Sequence, residues 1–484
     1  MNLSAMQIQA IVDATKTPTP EQVRVVEAPR RPLLVVAGAG SGKTETMSMR
    51  VLWLLANHPD LTPASILGLT FTRKAAGELG DRLRERIRLL ARQMPQMRER
   101  LDEDPVALTY NSFAERIVSE HGMRIGIDPD FSMLSEAGAL DLMTQIVEAW
   151  PTDLDEELRP IDAVPQVLHL AGELAEHGFT VERAREALEE LGRELSQVGD
   201  TNPEARNLLR ANRRRLAFLG PIATYQQRKR EMGVLDFSDQ LVLATRIVRE
   251  ASAVRAALRD EFRAVLLDEF QDTSVIQMEL LSTLFGDHAV TAVGDPNQAI
   301  YGWRGASASS LETFLDRFQS GAPEAGQTLT LSTAWRNDVS ILDAANRVAA
   351  PLREVASYQQ VKDALKAQSP VLVPRKGAGQ GTVEIAYTQV YEDALAATVD
   401  FVKRVRSQAT KDGKRCTVAV LSRRRKDFPF IDAALREAGI PTEIVGLGGL
   451  LDQPAVQDVR AALELAYDVA ASPWLARLLA GIDL

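Results

Sequence analysis

The sequence predicts an α/β protein, with one parallel-sheet core interrupted by a long helical insertion and followed by a second α/β unit. Three observations carry this. Short apolar runs at Leu33–Val36, Ile66–Thr70, Ala264–Leu267 and Ala289–Val293 read as strands buried on both faces, the pattern of a parallel sheet. From about Phe113 to Gln240 the pattern is almost wholly helical. Between the first apolar run and the first long helix stands Ala37-Gly38-Ala39-Gly40-Ser41-Gly42-Lys43-Thr44, a glycine-rich turn of the phosphate-binding kind.

In chain order, the helix after Thr44 carries Met47, Val51, Leu54 and Leu55 on its apolar side, and a charged helix runs from Lys74 toward Leu90 after the second strand. Leu140–Ala149, Val181–Leu191 and Leu208–Arg230 are helices of the insertion. The runs 264–267 and 289–293 each lead into acidic residues, which places chemistry at the C-terminal edge of the sheet. The second α/β unit is expected to begin near Gln327, with strands at Thr328–Leu331, Val383–Tyr387, Cys416–Leu421 and Pro441–Val445. Helices are expected over Phe430–Ala438 and Val456–Ala470, and 370–382 reads as a linker or surface loop.

With 484 residues, 45% of them apolar and 25% charged, the chain has the composition of an ordinary soluble protein of three or four domains. No run approaches the roughly 18–20 apolar residues of a membrane helix, and no secretory leader is visible, so a cytoplasmic protein without membrane contact is expected. Cys416 is the only cysteine, which excludes an internal disulfide and any multi-cysteine metal centre in this sequence. The net charge of −10 does not advertise a nucleic-acid binder, although a channel needs only local positive potential. Basic runs at Arg73, Lys74, Arg82, Arg84, Arg86, Arg88 and Arg92, and at Arg210, Arg213, Arg214, Arg215, Arg228, Lys229 and Arg230, are either such a local field or solvated helix faces.

A phosphate loop works because successive backbone N–H groups curl around phosphate at a helix N-terminus. Gly38, Gly40 and Gly42 supply the flexible positions, with Ala39 and Ser41 between them. Lys43 reaches the β/γ-phosphates, and the Thr44 hydroxyl takes one Mg²⁺ position, so ATP and Mg²⁺ are the expected ligands. Asp268 and Glu269 emerge together at a strand end. Asp268 is the better magnesium anchor and Glu269 the better base for the attacking water. Single-stranded nucleic acid is held by aromatic faces and phosphate contacts, for which Phe71, Thr72, Tyr110, Asn111, Phe113, Tyr301, Trp303 and Arg304 are candidates. For Phe71 and Phe113 the core reading is strong, since isolated aromatics beside apolar strands usually pack inward. Tyr301-Gly302-Trp303-Arg304 follows Gln298 closely enough for one loop to link nucleotide state to nucleic-acid grip.

The ordered runs Pro20-Glu21-Gln22, the phosphate loop, Thr70 through Ala76, Thr109 through Phe113, Asp236-Phe237-Ser238-Asp239, Asp268 through Thr273 and Gly294 through Ala306 resemble superfamily 1 DNA helicases of the UvrD/Rep/PcrA type. The resemblance implies RecA-like P-loop NTPase domains and an ATP-dependent 3′→5′ DNA helicase or translocase of repair or recombination, acting on single-stranded and duplex DNA. It implies that Gln22 reads the adenine edge, Gln298 senses the γ-phosphate, Arg336 reaches back to it, and Trp335 stacks on adenine where relatives more often have tyrosine. Trp303 is implied to stack on bases, and Arg73 is implied to lie at the site edge or near DNA. The Asp236–Asp239 run is implied to brace the return from the insertion.

The implied division is 1–112 and 236–325 for the first RecA-like domain, 113–235 for the helical insertion, 326–448 for an incomplete second RecA-like domain, and 449–484 for the start of a second insertion. Motifs that follow in the family are expected beyond Leu484, so residues 1–484 alone are expected to bind nucleotide with turnover lowered at least about 100-fold. Leu67 through Gly77 and Thr44-Glu45-Thr46-Met47 most resemble actinobacterial helicase–nucleases, which pair with a related subunit. The alternatives are a stand-alone repair helicase and a DNA-binding, ATP-responsive subunit with a weak motor.

Overall fold

The computed structural model describes residues 3–128, 130–155, 158–197, 203–302, 305–306, 309–319, 326–355, 368–411, 413, 416–445, 454–467 and 478. It divides into two compact units, Met1–Thr382 and Val383–Leu484.

In the first unit the strands are β1 (Leu33–Ala37), β2 (Ile66–Thr70), β3 (Val106–Thr109), β4 (Ser132–Met133), β5 (Val234–Leu235), β6 (Ala264–Leu267), β7 (Val290–Gly294), β8 (Gln327–Leu331), β9 (Thr333–Ala334) and β10 (Val373–Pro374). Six of them form one sheet in the order β3-β2-β6-β7-β1-β8, every pair parallel. The alternation inside each strand builds two cores. Leu34, Val36, Leu67, Leu69, Val265 and Leu267 face one side, while Leu33, Val35, Ala37, Ile66, Ala264 and Leu266 face the other. Burial on both faces explains why these strands are apolar throughout rather than half polar.

On the second of those faces lie α1 (Ala5–Val12), α2 (Pro20–Val26), α3 (Lys43–Asn57) and α4 (Arg73–Gln93). On the first lie α5 (Tyr110–His121), and, after the insertion, α10 (Phe237–Glu250), α11 (Ser252–Glu261), α12 (Val275–Phe285) and α13 (Phe314–Arg317). The insertion has its own core, built from α6 (Glu136–Glu148), α7 (Pro160–Glu176), α8 (Val181–Gln197) and α9 (Pro203–Met232) around Met143, Val167, Phe218 and Leu219. The last helix among the unit's described residues, α14 (Val339–Val355), follows β9.

Three expectations are corrected. Residues 327–331 do not open a separate unit: β8 pairs with β1 from Leu33↔Gln327 to Ala37↔Leu331. Residues 113–121 belong to the first core rather than to the insertion, since α5 buries Phe113, Ala114, Ile117 and Val118 against the sheet. The segment 370–382 is an exposed, mostly irregular loop, as expected, and it is tied down at two places. Val373 and Pro374 pair with Thr333 and Ala334, and Val339 and Ser340 donate their N–H groups to the carbonyls of Gly379 and Gln380.

The third correction is in the second unit, where helices Phe428–Glu437 and Pro454–Tyr467 form as expected and Tyr391–Lys411 forms a helix that was not expected. Among its described residues no strand occurs at 383–387, 416–421 or 441–445. Ile385, Tyr387, Leu421 and Val445 are instead exposed, with Tyr387 at 98%. A strand is defined by the neighbour that satisfies its backbone, and an apolar, β-branched run predicts only the capacity to pair.

Candidate functional site

The phosphate loop leaves β1 at its C-terminal end and enters α3. Gly40 and Gly42 take φ of 73° and 81°, which side-chain-bearing residues rarely adopt. Gly42 caps α3 with no side-chain hydrogen bond, so the first helical N–H groups keep their capacity for an anion. The loop is held from the β8 side, where Gly38 N–H donates to the Leu331 carbonyl and Trp335 N–H to the Gly40 carbonyl at 2.8 Å.

The structure brings the expected nucleotide residues around this loop. A β-carbon on Gly42 would stand 3.2 Å from Gln22 Nε2 and 3.7 Å from Trp335 Cδ1, and one on Gly40 would stand 3.0 Å from Arg336 Cβ. Gln22 is buried, and its Oε1 accepts from Thr19 N–H in a capping box at the start of α2. Trp335 remains 43% exposed, as a stacking surface requires. Glu21 ties the same helix to β8 by accepting from Ser332 N–H and Oγ–H at 2.8 and 2.7 Å.

Lys43 Nζ lies 3.6 Å from Glu269 Oε2. Asp268 is half-buried, and desolvation followed by the adjacent Glu269 charge raises its pKa to about 6, with Lys43 and Arg82 acting in the opposite direction. Paired carboxylates with so little positive charge opposite them suit a divalent cation. Among the described residues no group of three or more His, Cys, Asp or Glu side chains could hold a metal. A partial set of one hydroxyl (Thr44) and one carboxylate (Asp268) matches Mg²⁺, which keeps water and phosphate oxygens in its shell.

Sequence reasoning gave no role to Gln271, Asp295 or Ser369, which complete this edge. Gln271 Nε2 donates to Glu269 Oε2 at 2.8 Å and to Asp272 Oδ2 at 3.3 Å, and its Oε1 accepts from Asp295 N–H at 3.1 Å. Asp295 then accepts from Gln298 Nε2 and from Ser369 Oγ, each at 2.6 Å. The available signal was position: Gln271 and Asp295 follow the ends of two adjacent strands.

Behind this edge lies a cavity of about 480 Å³ lined by Phe71, Arg73, Tyr110, Asn111, Glu176 and Asp272 among others. Phe71 stacks obliquely on Tyr301 with ring centroids 4.9 Å apart. Asn111 Oδ1 accepts from Gln277 Nε2, and the exposed Thr72 caps α4. Tyr110 differs from a free stacking platform, being 4% exposed with its hydroxyl donating to the Asp268 carbonyl at 3.0 Å. Phe113 is wholly buried against Phe262 and Phe285. Trp303 and Arg304 lie outside the described residues. Burial, with the Glu269 charge second, raises Asp272 to about pKa 6, and burial also raises Glu176. A larger cavity, about 630 Å³, lies within Val383–Leu484 among Val402, Val418, Leu435 and Ile440, but carries no comparable convergence of expected groups.

Several members of the basic runs are paired with carboxylates. Arg86 binds Glu45, and Arg214 binds Asp155. Lys229 is buried, with Nζ 2.5 Å from Asp236 and 2.6 Å from Asp239. Burial opposes ionisation of Asp236, but the Lys229 ammonium outweighs it and lowers that carboxyl. This cluster joins the end of α9 to the start of α10, where the chain returns from the insertion.

Residues 18–319, more than half of the chain, match the UvrD/REP helicase N-terminal domain family. DNA helicase II of Escherichia coli K12 is 26% identical over 446 residues, which cover 92% of this chain and 54% of that protein. DNA helicase II of Haemophilus influenzae is 25% identical over 461 residues, 95% and 55% of the two chains. The ATP-dependent DNA helicase PcrA of Staphylococcus aureus Mu50 is 26% identical over 455 residues, 92% and 53%. The chain spans about half the length of these curated relatives.

Proposed function

This chain belongs to the UvrD/REP helicase family, and from that premise we propose that the protein is an ATP-dependent DNA helicase. It translocates 3′→5′ on single strands and opens duplex ahead of it, in repair or recombination. The observation that carries the reading is the sheet edge where the phosphate-loop lysine, Lys43, meets Glu269 at 3.6 Å. Gln22, Trp335 and Arg336 gather around the same loop.

In this reading Gln22 and Trp335 hold adenine, and the loop N–H groups and Lys43 hold the phosphates. Thr44 and Asp268 would hold Mg²⁺, which supplies neutralising charge on the phosphate oxygens. Glu269 orients and deprotonates the attacking water. Gln298 and Arg336 contact the transferring phosphoryl group, where developing charge makes each donor effective. The strand of DNA runs past Phe71, Thr72, Asn111 and Tyr301, with Trp303 and Arg304 continuing the path and Tyr110 bracing it from within. The proposed domains follow the expected division, with 113–121 and 327–331 assigned to the first.

Polarity rests on the family resemblance alone. Strand displacement on duplexes bearing only a 3′ or only a 5′ tail tests it: opening from the 3′ tail is expected, and opening from the 5′ tail alone overturns the direction. ATP turnover that single-stranded DNA does not stimulate would overturn the motor reading. Unchanged unwinding after Lys43→Ala would favour a passive subunit instead.

A further inference from the structure

We infer that Gln271 is a positioning residue of this site, holding the Glu269 carboxylate in its working direction; the inference rests on the reading of Glu269 given above. Glu269 is the one non-glycine residue with positive φ among the described residues, at 49°. That conformation turns its side chain away from the strand direction and persists only where the surroundings hold it. Among the described residues two groups approach the carboxylate, Lys43 Nζ at 3.6 Å and Gln271 Nε2 at 2.8 Å, both at Oε2. In the proposed chemistry Lys43 serves phosphate, so Gln271 is the contact dedicated to the carboxylate. Among the described residues the hydrogen bonds to Glu269 engage Oε2, which leaves Oε1 to take the proton from water.

Gln271 is itself fully determined. It is 3% exposed, and its amide nitrogen faces two carboxylate oxygens, on Glu269 and Asp272. Its amide oxygen faces the Asp295 N–H. Rotating the amide by half a turn would set oxygen against two carboxylates and nitrogen against a donor, so the network admits one orientation. Gly294 completes the mould, because a β-carbon there would stand 2.7 Å from Gln271 Oε1 and 3.1 Å from its backbone nitrogen. The amide therefore bridges the ends of β6 and β7 and presents one fixed donor to Glu269. A carboxylate with one oxygen fixed loses much of its rotational freedom, and misplacement of a reacting group by about 1 Å can cost on the order of 100-fold in rate.

The experiment compares Gln271→Ala, Glu269→Gln and the double variant in the complete protein with single-stranded DNA. It reads single-turnover and steady-state ATP hydrolysis, affinity for a fluorescent ADP analogue, and melting temperature. Gln271→Ala is expected to lower kcat by roughly 10- to 100-fold. KM for ATP and analogue affinity should stay within about twofold, because the loop and Gln22 are untouched. In the Glu269→Gln background, adding Gln271→Ala should lower the rate no further, since a residue acting through Glu269 has nothing left to position.

Unchanged kcat in Gln271→Ala overturns the inference, as does a further multiplicative loss in the double variant. If Gln271→Ala does not fold, Gln271→Glu keeps an acceptor for the Asp295 N–H and removes the donor facing Glu269, and the same pattern is expected of it. Wild-type turnover in Glu269→Gln would instead overturn the assignment of the base, a result distinct from loss of activity in Glu269→Gln with full activity in Gln271→Ala.

Discussion

At the C-terminal edge of the parallel sheet, the nucleotide side and the cavity behind it are joined through adjacent residues, Gln271 and Asp272, yet are built on different terms. On the nucleotide side polar side chains are tied to one another: Glu269 to Gln271, Gln271 to Asp295, Asp295 to Gln298 and Ser369. On the cavity side Asp272 keeps Oδ1 buried with no hydrogen-bond partner among the described residues, and burial pushes its pKa to about 6. Asp272 is 7% exposed and lines the cavity wall. A tied network is pre-organised for one geometry, whereas a wall of aromatics and under-satisfied polar groups suits a ligand of variable sequence.

The comparison breaks most sharply at Lys43. Lys43→Ala is expected to reduce ATP turnover at least about 100-fold, because one electrostatic donor at a developing charge is worth that much. Its melting temperature should stay near that of the parent, and steady-state hydrolysis with a parallel melt checks both. A fall in stability with turnover retained would make the nucleotide edge structural.

Next in size are two losses of stability away from chemistry. Lys229→Met leaves the half-buried Asp236 and Asp239 without their ammonium, and the loss should reach at most the about 3–5 kcal/mol of a broken buried pair. Phe113→Ala should cost about 3–5 kcal/mol as a core truncation, whereas Phe71→Ala should leave stability within about 1 kcal/mol. Phe71→Ala should instead weaken single-strand affinity by about 1–3 kcal/mol. Denaturant unfolding beside DNA-binding titrations separates the two phenylalanines, and equal effects on both readouts would erase the distinction between core and wall.

The smallest expected effect concerns pH. The Asp272 carboxyl has a folded pKa raised from 3.8 to about 6, so the native state holds its proton more tightly than the unfolded chain does. Its contribution to stability is therefore fully present below about pH 4 and is lost as pH rises through about 6. Asp272→Asn removes this dependence, and it should raise the melting temperature by roughly 2 °C at pH 7.5 relative to the parent and leave it little changed at pH 4.5. The same increment at both values would show that the charge on Asp272 is not what burial opposes.

Particular residues show what could be read in advance. The phosphate loop, Asp268-Glu269 and the strands at 66–70 and 264–267 were legible because each is local: a turn that needs glycine, or an apolar run buried on both faces. β3 at Val106–Thr109 was missed, because four residues between a proline and a helix give too short a run to register. Lys229 looked like part of a solvated basic run, and only the fold shows the two carboxylates that α10 brings to it. Arg50 on α3 carried no reading in the sequence, yet it is buried and donates to Thr291 Oγ1 and to the carbonyls of Val25, Val26, Ala28 and Pro29. Burial without a carboxylate partner lowers its pKa to about 9.

By itself the sequence determined the α/β class, the parallel strands of the first sheet, the helical insertion, and the residue types that handle phosphate and its metal. These follow from periodicity, turn stereochemistry and charge at neighbouring positions, which the chain carries wherever it goes. Only the tertiary structure decided that 327–331 joins the first sheet and that 383–387 pairs with nothing described, since a strand exists through its neighbour. It alone also decided that Phe113 is core while Phe71 is wall, and that Gln271 stands between Glu269 and Asp295. Each of these depends on which distant segments come within hydrogen-bond or van der Waals reach, and that is settled by packing across the whole sheet.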